Sequence, residues 1–380
     1  MITPWKWEKL RKGLRLNSTI NSVIDRVCSQ KRLPFEDGVN LIGSHDLIGL
    51  GTAADRLCRK LHPEQYRTYI VDRNINYTNV CTSGCTFCAF YRDKGDKDGY
   101  VLAKEELFKK IEETISLGGT QILMQGGLHP DLKIDFYVDL LRSIKERFDI
   151  HIHSFSPPEI IHFSTLNDLP IKEVLSLLKD AGLDTIPGGG AEILTDRCRG
   201  ILSPHKCSVD EWLQVMREAH LSGIKSTATM MFGHIETMKE RIVHLDKIRQ
   251  LQDETGGFTA FIPWTFQPKN TALSVSAEKR TGFKIGGFDY LRTLAVSRLF
   301  LDNIPNIQAS WVTQGSKIAQ LALKFGANDL GSTMIEENVV RAAGVDYRLK
   351  KEEMISLIED LGFEAMQRDC YYNILKGSQT

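Results

Sequence analysis

What this chain of 380 residues lacks narrows it first. It has no charge of one sign to spare, because 48 Lys and Arg balance 48 Asp and Glu. No global field therefore draws it to nucleic acid or to an anionic membrane. No stretch approaches about 18 uninterrupted apolar residues, and the N-terminus, MITPWKWEKLRKGLRL, has neither an unbroken apolar core nor a small-residue cleavage site. A soluble, non-exported, cytoplasmic protein is expected. Paired cysteines are missing too. Of eight cysteines, Cys28, Cys58, Cys198, Cys207 and Cys370 stand singly and read as inert buried thiols. There is no internal repeat and no low-complexity tract.

What is there begins with alternation. Short β-rich runs recur, TYIVDRNI, TQILMQG, IHIHSFS, LDTIPGG, IKSTATMMFG, FTAFIPWTF, IQASWVTQG and ANDLGST, with amphipathic segments between most of them. In KEELFKKIEETISLGG, Leu107, Phe108, Ile111 and Ile115 share one helical face, and Gly118 and Gly119 mark the stop. Strand–helix alternation with crossovers of this length implies parallel strands, and eight units fit a closed α/β barrel of the (β/α)8 TIM type. An open doubly wound sheet is the second choice. The expected organisation is an N-terminal helical extension over 1–65, the barrel over 66–332, and a helical tail over 333–380 packed on it.

In such barrels chemistry sits where strands run out into loops at the C-terminal face. The first of these loops carries NVCTSGCTFCAFYR, in which Cys81, Cys85 and Cys88 form C-x3-C-x2-C and Gly84 gives backbone freedom to curl around a bulky ligand. In a reducing compartment, clustered cysteines are metal ligands or redox groups more often than disulfides. A structural zinc ion needs a fourth ligand, commonly from a second pair, and no second pair exists. A four-iron cluster on three thiolates keeps one iron open for substrate or cofactor. Catalytic iron–sulfur chemistry leads, and structural zinc and coincidence remain as alternatives.

The cysteine motif followed by an aromatic residue, here Phe90, resembles the signature of the radical S-adenosylmethionine enzymes. QILMQGGLHPDL, HSFSPPEI, DTIPGGGAEIL, TATMMFGHIET and LQDETGGFTAFIPWTFQPKNT extend the resemblance over roughly residues 68–275. It implies a 4Fe-4S cluster held by Cys81, Cys85 and Cys88, with S-adenosyl-L-methionine on the open iron. It also implies an external one-electron donor such as a flavodoxin or ferredoxin, and a small-molecule substrate. Gly126 and Gly127 match a double-glycine strand end that meets the cofactor's methionine part. Glu192 matches an acidic position for its ribose hydroxyls or amino group. Phe90, Met231 and Gly233 resemble adenine contacts, although the Thr229–Gly233 segment departs from the family's more usual glycine and isoleucine. The secondary motifs point within the family to a branch that closes a carbon–carbon bond inside one substrate.

That chemistry needs a base for a late proton. His129, His153, His234 and Glu236, all at expected strand ends, are the candidates. A substrate carboxylate would want a cation, and Arg73, Arg92 or Lys269 could supply it.

Overall fold

The computed structural model describes residues 31–274 and 285–375, together with Val23, Arg26 and Ser29. Cys28 and most of the expected helical extension before residue 31 lie outside the described residues. Within the extension, helices span Phe35–Ile42 and Leu47–Leu61, the second capped by Asp46, whose side chain accepts from the Gly49 N–H. Both helices pack on the helix Gly287–Phe300.

Among the described residues ten strands follow in order: β1 Tyr66–Ile70, β2 Asp72–Ile75, β3 Gln121–Met124, β4 His151–Ser154, β5 Thr185–Ile186, β6 Lys225–Phe232, β7 Phe258–Thr265, β8 Asn306–Ile307, β9 Asp329–Ser332 and β10 Glu364–Gln367. All ladders are parallel, and β2 through β8 pair in sequence order. β1 and β2 are one strand interrupted at Val71. β9 pairs with β1, and a parallel bridge between Gln308 and Asp329, with the Ala309 N–H donating to the Asp329 carbonyl at 2.9 Å, joins β9 to the end of β8. The ring therefore closes on eight strands, those expected from the sequence.

Helices between the strands cover the outside. Three of them open on capping boxes legible as S/T-x-x-E: Ser156 with Glu159, Ser208 with Glu211 and Thr237 with Glu240. The helix Ile134–Arg147 buries Ile134, Tyr137, Leu140, Leu141 and Ile144, each fully buried side chain contributing about 1.5–3 kcal/mol relative to exposure. In the preceding helix, Lys104–Ser116, the buried face is Leu107, Ile111 and Thr114, whereas Ile115 is 40% exposed. The expected face was one residue too wide. The IQASWVTQG run also divides, with strand only at its start and a helix over Trp311–Ala322.

The tail is helical over Val339–Ala342 and Lys351–Glu359 and then becomes β10. β10 pairs with β1, from Tyr66 opposite Glu364 to Tyr69 opposite Gln367. The next residues turn under the barrel. Arg368 grips Asp329 through two hydrogen bonds of 2.5 and 2.9 Å, Cys370 lies 3.4 Å from the Thr185 hydroxyl, and the Tyr371 ring meets His151 edge-on. The tail thus forms the barrel's floor, leaving the C-terminal mouth to the loops.

Candidate active site

The cysteine loop leaves β2 and is fastened at several points. The Cys81 N–H donates to the Arg92 carbonyl at 3.0 Å and the Arg92 N–H to the Asn79 carbonyl at 2.8 Å. The Arg92 guanidinium donates to the carbonyls of Ala89, Phe90 and Tyr91. Arg92 thus staples the loop, leaving its guanidinium engaged with backbone. Gly84 sits at φ 56°, a left-handed conformation that disfavours side chains, with open space where a Cβ would stand. The thiols of Cys81, Cys85 and Cys88 are all free, Cys85 buried and the others half-buried, as is Phe90. Burial pushes the Cys81 and Cys88 thiols up, opposed by the N–H groups of Leu128 and Ser83 for the first, of Phe90 and Tyr91 for the second, and by Lys206 for both. Among the described residues no three His, Cys, Asp or Glu side chains converge tightly enough for a single metal ion. Zinc would gather the thiols on one centre, whereas a cuboidal cluster spreads them over three irons. Free thiols ringed by N–H donors and a cation fit the second arrangement.

Lys206 escaped the sequence reading. Its ammonium donates to Glu192 at 2.9 Å, and the Cys85 and Glu192 charges raise it against the cost of burial. Arg199 lies on the other carboxylate oxygen at 3.3 Å and also donates to the Gly190 carbonyl and the Cys207 carbonyl. Glu192 itself is 6% exposed and held at φ 39°. Burial would raise its carboxyl, and Lys206 and Arg199 outweigh that and hold it below the usual carboxylate range. Glu192 is therefore a buried, paired carboxylate and not an exposed one at a helix start. Both its oxygens are engaged from within the chain.

The paired glycines have a packing role of their own. A Cβ on Gly126 would stand 2.5 Å from the Tyr77 ring, and one on Gly127 only 2.2 Å from the Val80 carbonyl oxygen and 2.9 Å from the Cys81 Cβ. The space that a side chain would take is filled by the protein, and Gly127 lets the end of β3 press against the cysteine loop. Beneath them Glu159 gathers the Tyr77 hydroxyl at 2.6 Å, the Gly126 N–H at 3.0 Å and the Ser156 N–H at 2.7 Å.

Inside the barrel lies a cavity of about 260 Å3, lined at its mouth by Asn74, Gln125, Gly189, Thr229, Trp264 and Thr313 and lower down by Asp72, Gln121, His153 and Arg368. A larger crevice of about 520 Å3 runs outside the ring under residues 345–352; it lacks the strand-end groups and meets the inner cavity at Trp311, Met334, Glu337 and Val340. Of the four candidate bases only His153 faces the inner cavity. Its Nδ1 lies 2.7 Å from the Thr185 hydroxyl, and burial pushes its pKa down to about 3, which makes it a poor proton acceptor. His129 sits outside, its Nδ1 accepting from the Asp131 N–H. His234 is fully buried, with Nε2 2.9 Å from the Met231 carbonyl and Nδ1 accepting from the Ile235 N–H. Glu236 accepts from the N–H groups of Gly233 and His234 and from Arg241. His234 and Glu236 therefore knit the turn after β6, and neither lines the cavity. Met231 is buried at the end of β6, and the Gly233 Cβ position abuts Ile285. Arg73 points outward to Glu113 at 2.6 Å, and Lys269 is exposed beside Gly344. Neither reaches the cavity.

Residues 75–248 match the radical SAM superfamily model, and residues 255–379 match the CofH/MqnC C-terminal region. A cyclic dehypoxanthine futalosine synthase of Halalkalibacterium halodurans is 47% identical over 94% of this chain and 95% of that protein. This chain belongs to the radical SAM superfamily. It is an enzyme, and that superfamily works with a 4Fe-4S cluster and S-adenosylmethionine. Another relative, a 5-amino-6-(D-ribitylamino)uracil–L-tyrosine 4-hydroxyphenyl transferase of Methanosarcina mazei, is 48% identical over 80% of this chain and 81% of its own. The solved structure of HydG, a maturase of the FeFe-hydrogenase, superposes with a TM-score of 0.72 at 17% identity, over 97% of this chain and 80% of that one. The two share the barrel fold. Among the described residues no helix is long and apolar enough to cross a membrane.

Proposed function

We propose that this enzyme converts dehypoxanthine futalosine to its cyclic form in the futalosine route to menaquinone. The observation that carries this reading is the 47% identity, nearly end to end, to a protein named for that product. Cys81, Cys85 and Cys88 are assigned as the cluster's ligands, and the mouth residues around Gln125, Gly189 and Thr229 as the cofactor's neighbours. Bound there, a reduced cluster and S-adenosylmethionine would supply a 5′-deoxyadenosyl radical able to take the hydrogen from ribose C4′. The substrate carbon then adds to its own benzoate ring, and the ring regains aromaticity on losing a proton and an electron to a one-electron acceptor. The chain's part is to hold the two ends of one molecule together and keep water out. A closed ring of eight strands with a floor formed by Arg368, Cys370 and Tyr372 suits both tasks. The electron donor is assigned to the flavodoxin or ferredoxin class, and the site of action to the cytoplasm.

The second reading is a deazaflavin-type transferase, favoured by the 48% identity to the Methanosarcina enzyme over a shorter span, or an aminofutalosine-forming synthase, favoured by 40% identity to an aminodeoxyfutalosine synthase of Thermus thermophilus. Anaerobic reconstitution, reduction and incubation with each substrate in turn decides between them. The cyclase reading requires a product two hydrogens lighter than dehypoxanthine futalosine. Turnover of the ribitylaminouracil with tyrosine instead would replace it.

A further inference from the structure

Two side chains at the barrel mouth have no part in the steps above. Asn74 points inward from β2 and is 5% exposed. Its Nδ2 donates to Glu337 Oε2 at 2.8 Å, and its Oδ1 has no hydrogen-bond partner although it is buried. Glu337 follows β9, where the chain continues beside β2 with the Asn74 N–H donating to the Glu336 carbonyl. Glu337 Oε1 accepts from the N–H groups of Val339 and Val340, at 2.8 and 2.9 Å. That fixes the carboxylate plane and leaves Oε2 with one lone pair beside the Asn74 bond. Both residues line the inner cavity.

Two acceptor oxygens thus stand side by side, one of them a buried amide oxygen left unmade. Leaving such an atom unpaired in a buried site is unfavourable, so the arrangement suits a ligand that brings donors. The walls next to the pair, Trp311, Val312, Met334, Val339 and Val340, offer no side-chain donor that reaches it. A cation is the weaker match, because only two acceptor atoms are on offer here, fewer than a bound metal ion gathers. Neutral hydroxyls, each able to donate one hydrogen bond, match two adjacent acceptors.

We propose that Asn74 Oδ1 and Glu337 Oε2 accept hydrogen bonds from neighbouring hydroxyls of the substrate's sugar and hold the ribose at the end of the barrel where the cysteine loop lies. This rests on the cyclase reading and adds to it the residues that recognise the ribose.

The test is equilibrium binding by calorimetry to reconstituted, unreduced enzyme with S-adenosylmethionine present, using dehypoxanthine futalosine and its 2′,3′-dideoxy analogue as probes. Wild type is expected to bind the analogue about ten- to a hundredfold more weakly, the range for a lost hydrogen bond to a buried charged or polar partner. E337Q, which puts a donor where an acceptor stood, and N74A are each expected to weaken the parent substrate by tenfold or more while barely affecting the analogue. Equal wild-type affinity for the two probes overturns the inference whatever the variants do, and it does so even if they fold poorly. Unchanged substrate affinity in folded E337Q, with product yield lowered, overturns it as well and makes Glu337 a proton acceptor instead. Failure of wild type to bind the parent substrate at all refutes the cyclase reading itself, an outcome separate from loss of discrimination.

Discussion

Gly127→Ala puts the contact between β3 and the cysteine loop to a direct test. The added methyl would stand 2.2 Å from the Val80 carbonyl oxygen, whereas ordinary contact begins near 3.4 Å, so loop or strand must move by about 1 Å. Both colliding groups are backbone or next to it, and neither can swing aside. The displaced stretch also carries two hydrogen bonds, Gly127 N–H to the Thr78 carbonyl at 2.9 Å and Thr82 N–H to the Leu128 carbonyl at 3.0 Å. Overpacking of this kind costs about 1–3 kcal/mol and each weakened bond about 1 kcal/mol, for a loss of about 3–5 kcal/mol. Cys81, whose Cβ would lie 2.9 Å from the new methyl, shifts with the loop. Gly84→Ala is the control in the same loop: nothing lies within 4 Å of its Cβ position, so it pays only the left-handed backbone penalty of about 1–2 kcal/mol. Iron and sulfide per chain after anaerobic reconstitution, with urea unfolding of the apoprotein, read both effects. Gly127→Ala should lose stability and retain little cluster, and Gly84→Ala should lose less of each. A Gly127→Ala protein with full iron and unchanged unfolding would refute the reasoning.

Replacing Cys81, Cys85 or Cys88 with Ala should abolish S-adenosylmethionine cleavage one at a time, while Cys198→Ala keeps iron and visible spectrum; retained 5′-deoxyadenosine formation in any of the three would reassign the ligands. Arg368→Met strands Asp329 without its partner under the barrel, and breaking a buried pair this way costs about 3–5 kcal/mol, readable as an earlier urea midpoint at unchanged slope. His220 is buried, hydrogen-bonded to the hydroxyls of Thr255 and Ser226 at 2.7 Å each, and pushed by burial from 6.5 to about 4. The unfolded chain therefore binds the proton first, so this stabilising contribution is complete above about pH 6.5 and is lost as pH falls toward 4. Between pH 7 and pH 5 wild type should lose about 2 kcal/mol more than His220→Gln, and parallel pH slopes for the two would contradict the assignment.

The barrel was legible because its signals are local. Each of the eight strand runs is a β-rich stretch bounded by turn residues, and most of the helices between carry a 3.6-residue face or a capping box such as Ser208 with Glu211. The floor was not legible. EAMQRDCYYN has no clear periodicity, and its place depends on the pairing of Arg368 with Asp329, 39 residues away. The cysteine loop stood out by its spacing alone. Lys206 was not, since a lysine in a loop reads as solvated until the fold brings Glu192 and Cys85 to it. His234 and Glu236 show the converse. A polar residue at a strand end can face a substrate or tie down the turn, and only the burial of the His234 ring and the donors around Glu236 distinguish the two. Asn74 was hidden for a similar reason, because inward and outward residues of β2 alternate without a change in polarity: Asp72 and Asn74 face in while Arg73 faces out.

The most direct measurement of the central claim is a single turnover with dehypoxanthine futalosine carrying deuterium at C4′. Reconstituted, reduced enzyme is mixed with S-adenosylmethionine and the labelled substrate, and both 5′-deoxyadenosine and the cyclic product are examined by mass spectrometry. The account predicts one deuterium in 5′-deoxyadenosine for each molecule of cyclic product formed. Unlabelled 5′-deoxyadenosine, or label transfer with no cyclic product, would contradict it.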